Sequence, residues 1–208
     1  HTGEHQITCD KWLASFNGNL AVQKSSSSSS DPSLSEDDNY VTLTTGCYYL
    51  STTVANCDDE GYVRSLKTIK IDGDVTICLN GQQIQKVGNT TGSVFEVPSD
   101  STLTLTDCKG NGQVMCDDNS HGSGVYVNGG TLNLYSGQIA KSSGQTGTDY
   151  NKYGGGVYVN NGTFNMYGGT ITGNSANYGG GVYVNGGTFE MNDNASVTGN
   201  KADNSSGS

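Results

Sequence analysis

GGGVYVNNGTFNMYGGTITGNSANY (154–178) and GGGVYVNGGTFEMNDNASVTGN (179–200) are one unit written twice. The glycine triplets start at Gly154 and Gly179, a period of 25 residues. An earlier copy, GSGVYVNGGTLNLYSGQIA, starts at Gly122, 32 residues before Gly154. The excess lies in a polar run, 142–153. Self-similarity at this period marks a stacked array rather than a domain with one closed core.

Within the unit, Val157 and Val159 flank Tyr158, and Phe164 and Met166 flank Asn165. Alternation at period two puts one side of each strand inward and the other outward. Asn160-Asn161-Gly162 and Gly168-Gly169 separate the runs and supply corners, and Thr170-Ile171-Thr172 makes a third run. Helical periodicity is absent. Three short strands per coil, each pairing with its equivalent one coil on, predict a parallel β-helix whose coils are about 4.8 Å apart.

Degenerate copies extend upstream. Thr76–Ile84 aligns with Thr163–Ile171, and Thr102–Thr106 and Thr131–Tyr135 align with Thr163–Tyr167. Five coils follow, centred on Ile77, Leu103, Leu132, Phe164 and Phe189. The strand before each centre is visible at 68–71, 94–97, 124–127, 156–159 and 181–184. Residues 39–54 are expected to form an incomplete first coil. The whole solenoid is assigned to 40–208, with a cap and serine-rich loop at 1–39. In that segment the mildly apolar 11–22 is expected to cover the open end, and any helix is confined to 10–22. Residues 23–38, with six serines at 25–30, are expected to be a flexible loop.

VTICLNGQQI, STLTLTDCKGNGQV and the GGGVYVNGGTF units resemble the right-handed parallel β-helix repeats of secreted and cell-surface proteins from anaerobic gut bacteria. Those proteins share their architecture with the pectin-lyase-like superfamily. The resemblance spans roughly residues 40–200. It implies an extracellular or cell-surface location and a right-handed coil. It is loose for function, because the same coil carries lyases, hydrolases, tail spikes, adhesins and passive stalks.

The formal net charge of −10, with Arg64 the sole arginine, argues against nucleic acid as a partner. No apolar run approaches the roughly 20 residues of a transmembrane helix. The chain begins at His1 without a methionine, as expected of an excised or processed piece. Six cysteines, at 9, 47, 57, 78, 108 and 116, lie outside the clear repeats. Their even number in an exported chain predicts that most are paired, with the disulfides in the N-terminal half.

His1, His5 and Cys9 share a spacing of four that suits a metal on a helix, against the plainer reading of a frayed end. Asp58, Asp59 and Glu60, or Asp117 and Asp118, are calcium candidates against simple solubility, with a spacing that matches no EF-hand loop. Asp117, Asp118 and His121 lie close in sequence but in a turn-like run. In the clear repeats the acids are Asp149, Glu190 and Asp193, not a paired constellation for acid–base work. Arg64, the base candidate for lyase chemistry, lies outside the recognisable coils. No catalytic residue, metal site or cofactor is therefore expected.

The candidate ligand-binding residues are tyrosines. Tyr126, Tyr158 and Tyr183 point outward where their valine neighbours point in, and Tyr135 and Tyr167 hold equivalent outward places on the second strand, so consecutive coils are expected to stack tyrosines along one exterior wall. Such a ladder offers π surfaces to sugar rings, or it stacks to stabilise the sheet. Asn128, Asn160 and Asn185 recur at one corner with the same two readings. The expected function is a non-catalytic surface or secreted repeat protein, stalk or adhesin-like, with polysaccharide or host glycan as partner. The alternative is a carbohydrate-active enzyme, a polysaccharide lyase or glycoside hydrolase, on the same scaffold. A tail-spike fragment and an ice-binding face on Thr102, Thr104 and Thr106 stand further off.

Overall fold

A computed structural model describes residues 11–16, 19–24, 34–36, 40–50, 62–65, 67–86, 92–116, 122–140, 142, 153–192 and 194–203. In chain order the strands are β1 (Lys11–Phe16), β2 (Asn19–Lys24), β3 (Leu34–Glu36), β4 (Tyr40–Leu50), β5 (Tyr62–Ser65), β6 (Thr68–Cys78) and β7 (Gln83–Lys86). They continue as β8 (Phe95–Pro98), β9 (Thr102–Thr106), β10 (Gln113–Cys116), β11 (Val125–Asn128), β12 (Thr131–Leu134) and β13 (Gln138–Ala140). The last are β14 (Val157–Met166), β15 (Thr170–Thr172), β16 (Ser175–Ala176), β17 (Val182–Met191), β18 (Ser196–Thr198) and β19 (Lys201–Ala202). No helix occurs among the described residues.

The chain folds as a parallel β-solenoid, and the number of coils is close to the five expected. The first-strand row reads β4, β6, β8, β11, β14, β17, and the third-strand row β5, β7, β10, β13, β15, β18. In β4, β6, β14 and β17 the first and second strands run on as one element with a bend between them. The first-strand register matches the sequence expectation: Ile69, Phe95, Val125, Val157 and Val182 stand over one another. Their side chains, with Leu103, Leu132, Phe164, Val114, Ile139 and Ile171, fill a narrow core in layers. Every layer touches only its neighbours, so coil-to-coil hydrogen bonding and apolar stacking carry the fold.

Several expectations need correction. Leu103 pairs with Val75 rather than Ile77, and Ile77 pairs with Leu105. A slip of two residues leaves the in–out alternation unchanged, so the period-two pattern was blind to it. Ile84 nevertheless shares a column with Ile171 as aligned, with Val114 and Ile139 between them, because the coil carries two more residues between its second and third strands than the clear repeats do.

The segment 11–22 forms an antiparallel hairpin, β1–β2, rather than a helix. β1 then adds in parallel to β4, with Leu13 opposite Leu50. Within 23–38, Gln23 and Lys24 end β2, and β3 pairs antiparallel with β4, so that stretch is not wholly loop. The first coil finds its third strand at β5, with Val63 opposite Ile84. Arg64 therefore lies within a coil, opposite Gln85. The serine run 25–30 and residues 51–54 are outside the described residues.

Cys78 and Cys108 form a disulfide across neighbouring coils, with Cα atoms 6.5 Å apart. Cys47 is also disulfide-bonded, and Cys116 stays a buried thiol. The bonded cysteines described thus lie ahead of the clear repeats. Among the described residues, no helix is long and apolar enough to cross a membrane.

Corners are closed by buried polar groups. Asn174 is buried, accepts from the Ser142 N–H (3.0 Å), and donates to the Ile139 carbonyl (2.9 Å) and to Asn200 Oδ1 (2.9 Å). Asn200 repeats the motif by donating to the Ile171 carbonyl at 2.8 Å. Two coils earlier, the Asp107 carboxylate serves a different corner. It accepts from the backbone N–H groups of Gly81 (2.7 Å), Lys109 (3.3 Å) and Gly112 (2.7 Å). Such interior amides and carboxylates satisfy backbone groups that a turn leaves without a ladder partner.

Candidate functional site

Tyr126, Tyr158 and Tyr183 occupy one register position on β11, β14 and β17. Their valine neighbours point into the core, so the rings emerge on one outer wall. Tyr126 and Tyr158 stack with centroids 5.1 Å apart, and Tyr158 and Tyr183 lie 5.7 Å apart with planes at 59°. Sequence reasoning missed two further members. Tyr153 approaches Tyr183 to 4.6 Å, Tyr178 to 5.3 Å and Tyr158 to 5.9 Å. The five rings form one cluster spanning three coils.

The glycine triplet builds this cluster. Gly154 and Gly179 have φ of 63° and 61°, in the left-handed region. A Cβ on Gly154 would sit 2.7 Å from the Tyr158 Cα, and one on Gly179 would sit 2.7 Å from the Tyr183 Cβ. The bare Cα thus lets the chain double back and lay Tyr153 and Tyr178 beside the ladder. The signal was present as Tyr-Gly-Gly-Gly at 153 and again at 178, where the glycine triplets served only to mark the repeat period.

Alongside the rings runs an asparagine ladder. Asn185 Nδ2 donates to Asn160 Oδ1 (3.1 Å), Asn160 to Asn128 Oδ1 (3.2 Å), and Asn128 to Glu96 Oε1 (3.3 Å). The chain of amides is polarised toward a carboxylate, an arrangement in which each bond strengthens the next. The second amide hydrogens of Asn160 and Asn185 go to the hydroxyl oxygens of Tyr126 (3.2 Å) and Tyr158 (3.5 Å). Both phenols act as acceptors there, which leaves their O–H donors for a ligand. Burial pushes the Tyr126 phenol pKa up, opposed by the Asn160 hydrogen bond and aided by Tyr158 and Glu96. The group is a neutral donor at physiological pH.

Stacking shapes what this wall can offer. Tyr126 and Tyr158 turn their faces toward each other along the solenoid axis, so they show edges and hydroxyls outward. Tyr135 and Tyr167 form a second column just past β12 and β14. Their rings stack 4.7 Å apart and are far more open, 51% and 41% exposed. An analogous ladder, Asn165 donating to Asn133 at 2.9 Å, runs along the second strand. The site residues expected from sequence thus fall into two columns.

Other candidates separate. Asp117, Asp118, His121, Asp149 and Asp193 lie outside the described residues, as do Asp58, Asp59, Glu60, His1, His5 and Cys9. Glu190 is exposed on β17. Among the described residues, no group of three or more His, Cys, Asp or Glu is placed to hold a metal ion. One buried base was not foreseen. Lys86 is 1% exposed, and its Nζ donates to Thr68 Oγ1 at 3.2 Å, while that hydroxyl donates to the Ser93 carbonyl at 2.8 Å. Burial pulls the Lys86 pKa down to about 8, with Cys116 opposing. Comparison with protein-family models, with curated proteins and with solved structures finds no match to this chain.

Proposed function

We propose that this chain is a non-catalytic repeat module of an exported protein, stalk or adhesin-like, whose tyrosine wall contacts polysaccharide. The observation that carries the proposal is the five-ring cluster flanked by the asparagine ladder. Apolar ring edges lie next to phenol donors and amides, repeating once per coil along the axis. Sugars present the complement, with C–H surfaces interrupted by hydroxyls. A ligand running along the axis meets Tyr126, Tyr158 and Tyr183 in turn, so weak single contacts add along the row. The disulfides fit an oxidising compartment. The resemblance of the repeats to those of surface proteins from anaerobic gut bacteria supports the same location.

A glycan array on the purified chain, followed by titration of the best ligand, tests the proposal. Replacing Tyr126, Tyr158 and Tyr183 together by Phe keeps the rings and removes the donors, and affinity should fall by about 1 kcal/mol per hydroxyl engaged. Replacing the same three by Ser should abolish binding, with circular dichroism checking the fold. An array with no bound glycan, or binding unchanged in the Phe variant, rejects this wall as a carbohydrate site.

A further inference from the structure

The row of Tyr126, Tyr158 and Tyr183 runs onto a carboxylate. Followed back along the strand register from Tyr126, the same outward position is Glu96 on β8 and then Lys70 on β6. Neighbouring strands put Glu96 about 4.8 Å from Tyr126 at the backbone. Glu96 is half-buried, and its Oε1 accepts from Asn128 Nδ2 at 3.3 Å. Its Oε2 has no hydrogen-bond or ion-pair partner among the described residues.

Lys70 is placed to be the counter-ion of Glu96 and is turned elsewhere. Its ammonium lies over the Tyr40 ring, 5.5 Å from the centroid. Tyr40 opens β4, which borders β6 on the side away from β8. Asp72, the next outward residue of β6, is exposed and adds a second carboxylate nearby. The aromatic row thus leads onto a negative charge that the fold leaves unneutralised.

This end of the row offers two complementary groups. The Tyr126 hydroxyl accepts from Asn160 and keeps its own proton to donate. Glu96 Oε2, one coil away, is a charged acceptor. Two hydroxyls of one sugar ring answer both, one accepting from the phenol and the other donating to the carboxylate. A uronate or sulfate oxygen answers only the phenol. It also brings a second anion against Glu96 with no cation between them. Specificity arises from such an unfavourable charge as much as from the favourable contact.

We propose, on the reading of the tyrosine wall as a glycan surface, that Glu96 sets its specificity: Oε2 accepts from a sugar hydroxyl, and the row takes polysaccharides of neutral sugars in preference to those bearing uronate or sulfate groups.

The test uses probes paired by backbone: mannan with polymannuronate, cello-oligosaccharides with oligoglucuronates, and methyl-esterified with de-esterified polygalacturonate. Each is titrated against the full chain at about 0.15 M salt, where charges more than about 8 Å away are screened and Glu96 dominates. In every pair that binds, the neutral member should bind about tenfold tighter or more, the size of one hydrogen bond to a charged group. Glu96→Gln keeps an oxygen for Asn128 and turns the charged acceptor into an amide. It should weaken the neutral member about tenfold and bring the two members to within about threefold of each other. A Glu96 that merely braces the asparagine ladder would weaken both members alike and leave their ratio unchanged. Equal binding of both members by the wild-type chain, or a ratio that Glu96→Gln leaves unchanged, overturns the assignment of Glu96. If that binding is lost when Tyr126, Tyr158 and Tyr183 are replaced by Ser, the wall remains a glycan surface. Binding of no probe in any pair overturns both.

Discussion

Lys86 sits where the solenoid should hold an apolar side chain, and its removal has a calculable consequence. Folded Lys86 releases its proton at about 8, against 10.5 in the unfolded chain. Below pH 8 both states hold the proton, and the folded state bears the full cost of the buried charge, roughly 3 kcal/mol at 1.36 kcal/mol per pKa unit. Between pH 8 and 10.5 the unfolded chain binds more protons, so stability rises with pH by up to about 1.4 kcal/mol per unit. Lys86→Met fills similar volume without the charge. It loses the hydrogen bond to Thr68, about 1 kcal/mol, and Thr68 keeps its bond to Ser93. The variant should therefore be more stable by about 2 kcal/mol at pH 6, with the advantage gone by about pH 10. Urea unfolding of both proteins across this range, disulfides intact, gives the difference curve. Titrations common to both proteins largely cancel in it. A flat difference, or a variant weaker at pH 6, refutes the argument that burial governs this lysine.

Asn174→Ala should cost about 2–3 kcal/mol, because the buried Ser142 N–H and Ile139 carbonyl lose their side-chain partner, while Asn200 Oδ1 keeps the Asn174 backbone N–H. Asn174→Asp should not rescue it, since a carboxylate cannot donate to the Ile139 carbonyl, and thermal unfolding reads both. Replacing Cys78 and Cys108 by Ser should lower stability by about 3–4 kcal/mol under oxidising conditions, from the chain entropy of the cross-linked loop. The effect should vanish when wild type and variant are compared under full reduction.

The architecture and three of the five clustered rings were legible in the residue pattern alone. Gly154, Gly179 and the alternation of Val157, Tyr158 and Val159 repeat at a fixed period. Repeats that cannot bury their own apolar side must stack, which places like over like. That is why Val125, Val157 and Val182 align as expected, and why Tyr126, Tyr158 and Tyr183 share a wall. Tertiary structure decided what depends on contacts between residues 25 to 35 apart. A slip of two residues between Ile77 and Val75 preserves the pattern and is settled by packing against Leu103 and Leu105. The hairpin 11–24 has no repeat to copy, and its edge is fixed by β4. Tyr153 and Tyr178 join the cluster because the left-handed glycines fold them back onto the next strand. Lys86 follows Ile84 at period two, so its inward position was legible. That a charge is accepted there depends on Thr68 and Ser93, neighbours 18 residues before it and 7 after it in the chain, which only the closed coil brings together.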